Sequence, residues 1–137
     1  MGSVGSNSAV DVNGVAETIE TMQGRIVRTM MDDGFTSAEA SRDAFSILQS
    51  IVDGSVSPEM AEAYGVTKQE FEKIITGSAI LAMRRYLSGK DLNRNGLVAV
   101  RLASNVERNM FGSFDSYGKA GIRARLEEME KRYKELQ

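Results

Sequence analysis

Apolar residues recur every three or four positions through most of this chain, and this spacing limits the fold more than any other feature. The first such stripe contains Val15, Ile19, Met22, Ile26 and Met30, which would share one face of a helix. Further helical stripes follow, and the 137 residues contain a single proline. The sequence therefore predicts an all-α fold of five or six helices, preceded by a flexible N-terminal arm over residues 1–12.

Two pairs of residues mark helix starts inside the chain. Thr36 with Glu39, and Thr67 with Glu70, have the spacing of a capping box, in which a hydroxyl and a carboxylate satisfy free backbone N–H groups. The helix that starts after Thr67 either continues through Gly77 or breaks there, because glycine is a poor helix former. Both alternatives give a helical domain over residues 13–118.

The last segment, residues 119–137, predicts an amphipathic helix with a narrow apolar stripe. Its apolar residues alternate four and three apart, as at the a and d positions of a heptad repeat. They are Ile122, Leu126, Met129, Tyr133 and Leu136. A narrow stripe with charged flanks suits pairing with another helix, so we expect these residues to form a homo-oligomer interface, with pairing inside the chain as the alternative.

The composition argues against catalysis. The sequence contains no His and no Cys, which removes the usual general base, thiol nucleophile and transition-metal ligands. No pair of carboxylates stands out as an acid and a base, so we expect a non-enzymatic protein with no cofactor and no metal site. The first residues lack the basic start and apolar run of a secretory signal, and no transmembrane-length apolar run exists. We therefore expect a protein of the cytoplasm or of a virus particle, neither secreted nor bound to a membrane.

The stretch SPEMAEAYGVTKQEFEKII, residues 57–75, has the pattern of two helices joined by a tight turn. Such a pair needs a small residue where the helices touch and a turn residue that accepts a left-handed backbone, and Ala61 and Gly65 have the right separation. Five positions must be apolar to face the rest of the domain, and they hold Met60, Tyr64, Val66, Phe71 and Ile74. Residues 57–76 therefore resemble the helix-turn-helix of DNA-binding proteins.

The resemblance implies which side chains would face a DNA groove. They are Thr67, Lys68, Gln69, Glu72 and Lys73. Gln69 would pair with adenine, and the lysines would reach phosphate or guanine. Arg84 and Arg85 are further candidates for DNA contacts. With a self-associating C-terminal helix, this layout resembles that of phage small terminase subunits, which implies recognition of viral DNA without catalysis.

Charge is unevenly distributed along the chain. Residues 1–83 contain 5 Lys and Arg against 12 Asp and Glu, whereas residues 84–137 contain 12 against 7. The DNA-reading helix would start in the acidic part, which opposes docking on a polyanion unless the basic part lies beside it. One hypothesis is therefore a self-associating protein that binds duplex DNA in phage packaging or regulation. The other is a structural or adaptor subunit that binds other assembly proteins, for example in a phage virion, with residues 57–76 as a packed hairpin.

Overall fold

The computed structural model describes residues 10–88, 97–109 and 118–137, and within these ranges it is built from α-helices without strands. This confirms the predicted all-α class. In chain order the helices are α1 (Val12–Asp32), α2 (Ser37–Val52), α3 (Pro58–Glu62), α4 (Lys68–Ser88), α5 (Leu97–Asn109) and α6 (Gly118–Glu135).

The fold begins earlier than the sequence suggested. Asp11 is the N-cap of α1, and its carboxylate accepts a hydrogen bond from the Asn13 backbone N–H at 3.1 Å. Val10 is buried against the core. The predicted flexible arm over residues 1–12 is therefore wrong for residues 10–12, because a buried side chain and a capping carboxylate hold them. Residues 1–9 lie outside the described ranges.

The first predicted capping box starts α2. The Thr36 hydroxyl accepts from the Glu39 N–H at 3.2 Å, and the Glu39 carboxylate accepts from the Thr36 N–H at 3.0 Å. The hydrogen bond from the Thr36 backbone lowers the pKa of Glu39 below its usual value. The box begins α2 directly after the short loop at residues 33–36, and α1 and α2 pack against each other.

α4 is the central helix, and α1, α2, α3, α5 and α6 all pack against it. Residues 76–83 are buried on every side of the helix. Thr76 and Ser78 stay satisfied in this environment because their hydroxyls donate to carbonyl oxygens one turn earlier, at 2.8 and 2.6 Å. α4 therefore continues through Gly77 rather than breaking there.

Gly77 lies where α1, α4 and α6 meet. A Cβ atom built at Gly77 would be 2.9 Å from Cγ1 of Val15 on α1 and 3.3 Å from Cε1 of Tyr133 on α6. The Tyr133 hydroxyl donates to Oγ1 of Thr18 at 3.4 Å, which joins α6 to α1 directly. The missing side chain at Gly77 lets the three backbones approach this closely.

α5 is fixed to α1 and α2 by side chains from those helices. The Glu20 carboxylate of α1 accepts the Ala99 backbone N–H at 3.3 Å, in the first turn of α5 where N–H groups have no partner within the helix. The guanidinium of Arg101 lies 4.2 Å from the centre of the Phe45 ring on α2. These contacts place α5 beside α1 and α2.

α6 packs on α4 within the same chain and turns its apolar stripe toward the core. The stripe residues are buried or half-buried: Ile122, Leu126, Met129, Tyr133 and Leu136. Ile122 and Tyr133 are buried inside the chain, whereas Leu126, Met129 and Leu136 are half-buried. The stripe therefore packs within the chain, the alternative that the heptad spacing left open, and the homo-oligomer interface at these residues stays a prediction.

Candidate nucleic-acid interface

Residues 57–76 form two helices joined by a turn, as their sequence predicted. α3 is short and ends at Glu62, and residues 63–67 connect it to α4. Ala61 is fully buried, and Gly65 has a φ angle of +88°. Both small residues therefore have the environment that a helix-turn-helix needs, and Gly65 additionally lies close to Thr29, with 3.1 Å between a built Cβ atom and the Thr29 hydroxyl oxygen.

An arginine from α1 joins the turn to the start of α4. Arg25 Nη1 lies 2.6 and 2.7 Å from the two Glu70 carboxylate oxygens and 3.3 Å from the Gly65 carbonyl oxygen. Glu70 also completes the second capping box. Its carboxylate accepts the Thr67 N–H at 3.0 Å, and the Thr67 hydroxyl accepts the Glu70 N–H at 3.1 Å. The start of α4 is therefore fixed relative to both α1 and the turn.

Opposing effects act on the Glu70 carboxyl. Its partial burial raises the pKa, whereas hydrogen bonds from the Thr67 backbone and from Arg25 lower it, and the pKa ends below its usual value of 4.5. Glu70 is therefore ionised at neutral pH, with the Arg25 charge directly against it. The Arg25 charge largely cancels that of the carboxylate, so Glu70 would repel a polyanionic ligand only weakly.

The predicted groove-facing side chains lie together on the first two turns of α4. Thr67, Lys68 and Gln69 are exposed, whereas Glu72 and Lys73 are half-buried. Residues 76–83 are buried on every side, and residues 84–87 are half-buried. The predicted groove-facing side chains therefore share one accessible stretch at the beginning of α4.

The end of α6 contacts this surface. The Gln69 side-chain amide donates to the Leu136 carbonyl oxygen, and Arg132 Nη2 lies 2.7 Å from Glu72 Oε1. The ion pair is open to solvent, with 59% of the Arg132 side chain and 37% of the Glu72 side chain accessible. Two of the five predicted groove-facing side chains are thus engaged by the end of α6.

Arg84 and Arg85 do not extend this surface. Arg84 pairs with Glu130 of α6, whose side chain is only 7% exposed, and Arg84 Nε lies 3.1 Å from the Glu130 carboxylate. Arg85 donates to the Ser104 hydroxyl of α5. From Lys68 to Arg84 is sixteen positions, or about 24 Å along a helix. We therefore correct the prediction for these two arginines: they fasten α4 to α6 and α5.

α6 supplies cations that the sequence did not assign to the interface. α4 and α6 run antiparallel, since Gln69 contacts Leu136 near the start of α4 and Arg84 contacts an earlier residue of α6. Lys131 is exposed and Lys134 is half-buried, and both lie within about one turn of the α6 residues that touch the start of α4. In the sequence, the heptad stripe indicates that α6 packs on another helix, but it does not specify which helix pairs with α6 or in what register.

Within the described ranges, no group of three or more His, Cys, Asp or Glu side chains is placed to hold a metal ion. None of the helices in those ranges has both the length and the apolarity to cross a membrane. No protein-family model, curated protein or solved structure matches the chain. Function must therefore be inferred from the contacts, burial and charges of its own residues.

Proposed function

We propose that the protein binds duplex DNA through the start of α4 and catalyses no reaction. The observation that carries the proposal is the exposure of Thr67, Lys68 and Gln69 at the first turn of a helix that Arg25 and Glu70 hold in place. In helix-turn-helix proteins the first residues of the second helix reach base edges while the rest of the motif sets its orientation. An exposed helix start that is fixed next to a tight turn suits this role.

Part of the negative charge around this helix start is offset by cations of the same chain. The two carboxylates in the first turns of α4, Glu70 and Glu72, both have arginine partners. Lys68 on α4, and Lys131 and Lys134 on α6, add positive charge at the same end of the bundle. Such lysines suit contacts with phosphate, which supply most of the non-specific affinity for a duplex.

Duplex binding measured against salt concentration tests the proposal. We expect affinity to fall steeply as salt rises, because lysine contacts release counterions from phosphates. Lys68→Ala should weaken binding and reduce the slope of log affinity against log salt by about one. Lys119→Ala is the matched control, because Lys119 is an exposed lysine in the first turn of α6, at the opposite end of that helix from Leu136. It should leave the slope unchanged.

Two results would count against the proposal. The first is the absence of measurable binding to any duplex at low salt. The second is an equal loss for Lys68→Ala and Lys119→Ala, which would indicate general attraction to charge rather than a defined face.

A second candidate function is favoured by a different observation. Among the described residues, three large apolar side chains are exposed: Met31 by 45%, Phe35 by 44% and Met60 by 54%, so Met60 does not face the rest of the domain as the helix-turn-helix pattern predicted. Met and Phe are enriched where protein surfaces meet. We therefore retain an adaptor or structural subunit, for example of a phage particle, as the alternative. Self-association would use such a surface, and sedimentation over a range of protein concentrations would detect it.

A further inference from the structure

We propose that the end of α6 is a displaceable cover over the base-reading side chains of α4. The cover consists of the Arg132 side chain and the backbone of residues 134–137. The inference rests on the proposed DNA binding and adds its regulation: the covered protein holds phosphates through lysines, and the uncovered protein also reads bases.

The cover engages the side chains that can distinguish bases. Gln69 has the amide that pairs with adenine, and it donates instead to the Leu136 carbonyl oxygen. Glu72 has the carboxylate that accepts from the cytosine amino group, and Arg132 holds it at 2.7 Å. Lys68, which would contact phosphate without regard to sequence, is exposed. Covering therefore affects sequence recognition more than attraction to the duplex.

The cover can leave α4 without undocking α6. Its ion pair is solvent-exposed on both sides, and exposed pairs contribute little because water competes with them. α6 stays attached through other residues, since Ile122 and Tyr133 are buried and Glu130 pairs with Arg84. Rotation of the Arg132 side chain and fraying of the last helical turn are sufficient to free the face.

A duplex supplies a reason for the cover to open. Phosphates compete with Glu72 for Arg132, and transfer of the arginine to a phosphate leaves the carboxylate without its partner. An unpaired carboxylate close to DNA is unfavourable unless a base donates to it, as the cytosine amino group does. Opening is therefore favoured on sequences that satisfy Glu72 and Gln69, and disfavoured on others.

A crosslink tests the cover directly, because the chain has no cysteine of its own. Glu72→Cys with Arg132→Cys, joined by a short bismaleimide, holds α6 on α4, and the same variant capped with N-ethylmaleimide leaves the cover free. Gln69 is intact in both forms and remains the reading side chain. Ala120→Cys with Ala124→Cys is the matched control, because both positions are exposed, uncharged and one turn apart on α6, so their crosslink does not reach α4.

The probes are a duplex selected from a randomised pool by the capped protein and a scrambled duplex of the same composition. We expect the preference for the selected duplex to be about tenfold greater in the capped form than in the crosslinked form, as one bidentate base contact would give. Affinity for the scrambled duplex should differ by less than about twofold, since the phosphate contacts are shared. Gln69→Ala in the capped form should remove the preference, and the control crosslink should leave it unchanged.

The outcomes separate the two proposals. Equal preference in the crosslinked and capped forms would overturn the cover and leave DNA binding intact. The same holds if both forms bind but no sequence can be enriched from the pool. If the wild type and both forms fail to bind any duplex at low salt, the proposed function fails, and the cover fails with it.

Discussion

Replacing Gly77 by alanine tests the three-helix contact at the centre of the fold. Inside a helix, alanine is ordinarily favoured over glycine by about 1 kcal/mol. At Gly77 the new methyl group would lie 2.9 Å from Val15 Cγ1 and 3.3 Å from Tyr133 Cε1. Neither neighbour moves away easily, because Val15 is β-branched and 1% exposed and Tyr133 is 4% exposed.

The expected magnitude follows from these opposing effects. Adding a methyl group to a filled core costs about 1–3 kcal/mol, and the short contact with Val15 places this substitution in the upper half of that range. After the gain of about 1 kcal/mol in helix preference, the free energy of unfolding should fall by about 1–2 kcal/mol. For a domain of this size, the melting temperature should fall by roughly 3–8 °C.

Urea denaturation followed by far-ultraviolet circular dichroism measures the stability of both variants, and Gly24→Ala is the matched control. Gly24 also lies inside a helix, α1, but no heavy atom outside its own helical turn lies within 4 Å of a built Cβ atom. The substitution should therefore stabilise the protein by about 0.5–1 kcal/mol. If Gly77→Ala were as stable as Gly24→Ala, the close approach of α1 and α6 to α4 would be refuted. Val15→Ala combined with Gly77→Ala should cost less than the two single changes added together, because the Val15 methyl group that the new alanine would meet is gone.

Two further substitutions test the ion pairs of α4. Arg25→Met should cost about 1–2 kcal/mol at neutral pH. The folded pKa of Glu70 lies below its usual 4.5, so this pair stabilises the protein above that pH and is lost as the pH falls through the folded pKa. The cost of Arg25→Met should therefore shrink in denaturation curves recorded in acid. A cost that stays constant with pH would contradict the assignment of the pair. Arg84→Met should cost about 3 kcal/mol, since it leaves the buried Glu130 without a partner. Adding Glu130→Leu should restore most of that loss in urea denaturation. A double variant no more stable than Arg84→Met alone would show that Glu130 is not a buried charge in need of a partner.

Helix starts and the turn of the helix-turn-helix-like segment could be predicted because they depend on neighbouring residues. The Thr67–Glu70 capping box forms from groups three positions apart, and Gly65 has the positive φ that its place in the turn required. Ala61 was recognised as a contact residue from its size and its spacing to Gly65. Local chemistry of this kind does not change when the rest of the chain folds around it.

The partners of α6 and of the arginines could not be predicted, because they depend on the register of distant helices. A heptad stripe fits a second copy and a helix of the same chain equally well. Arg25 contacts Glu70 across 45 positions, and Arg84 contacts Glu130 across 46. In the sequence, an arginine that pairs two helices looks the same as one that binds phosphate. Only the fold places a carboxylate opposite it.

The two ion pairs between α4 and α6 differ in their exposure to solvent, and this difference decides which of them a polyanion can disrupt. Arg84 and Glu130 form the enclosed pair, with side-chain exposures of 29% and 7%, whereas Arg132 and Glu72 form the open one, at 59% and 37%. A phosphate can replace Glu72 at Arg132 at small cost, because both charges already face water. Replacing Glu130 would strand a carboxylate in the interior and is strongly unfavourable. A duplex that binds at the start of α4 would therefore act on the outer pair, while the inner pair and the buried Ile122 and Tyr133 keep α6 docked.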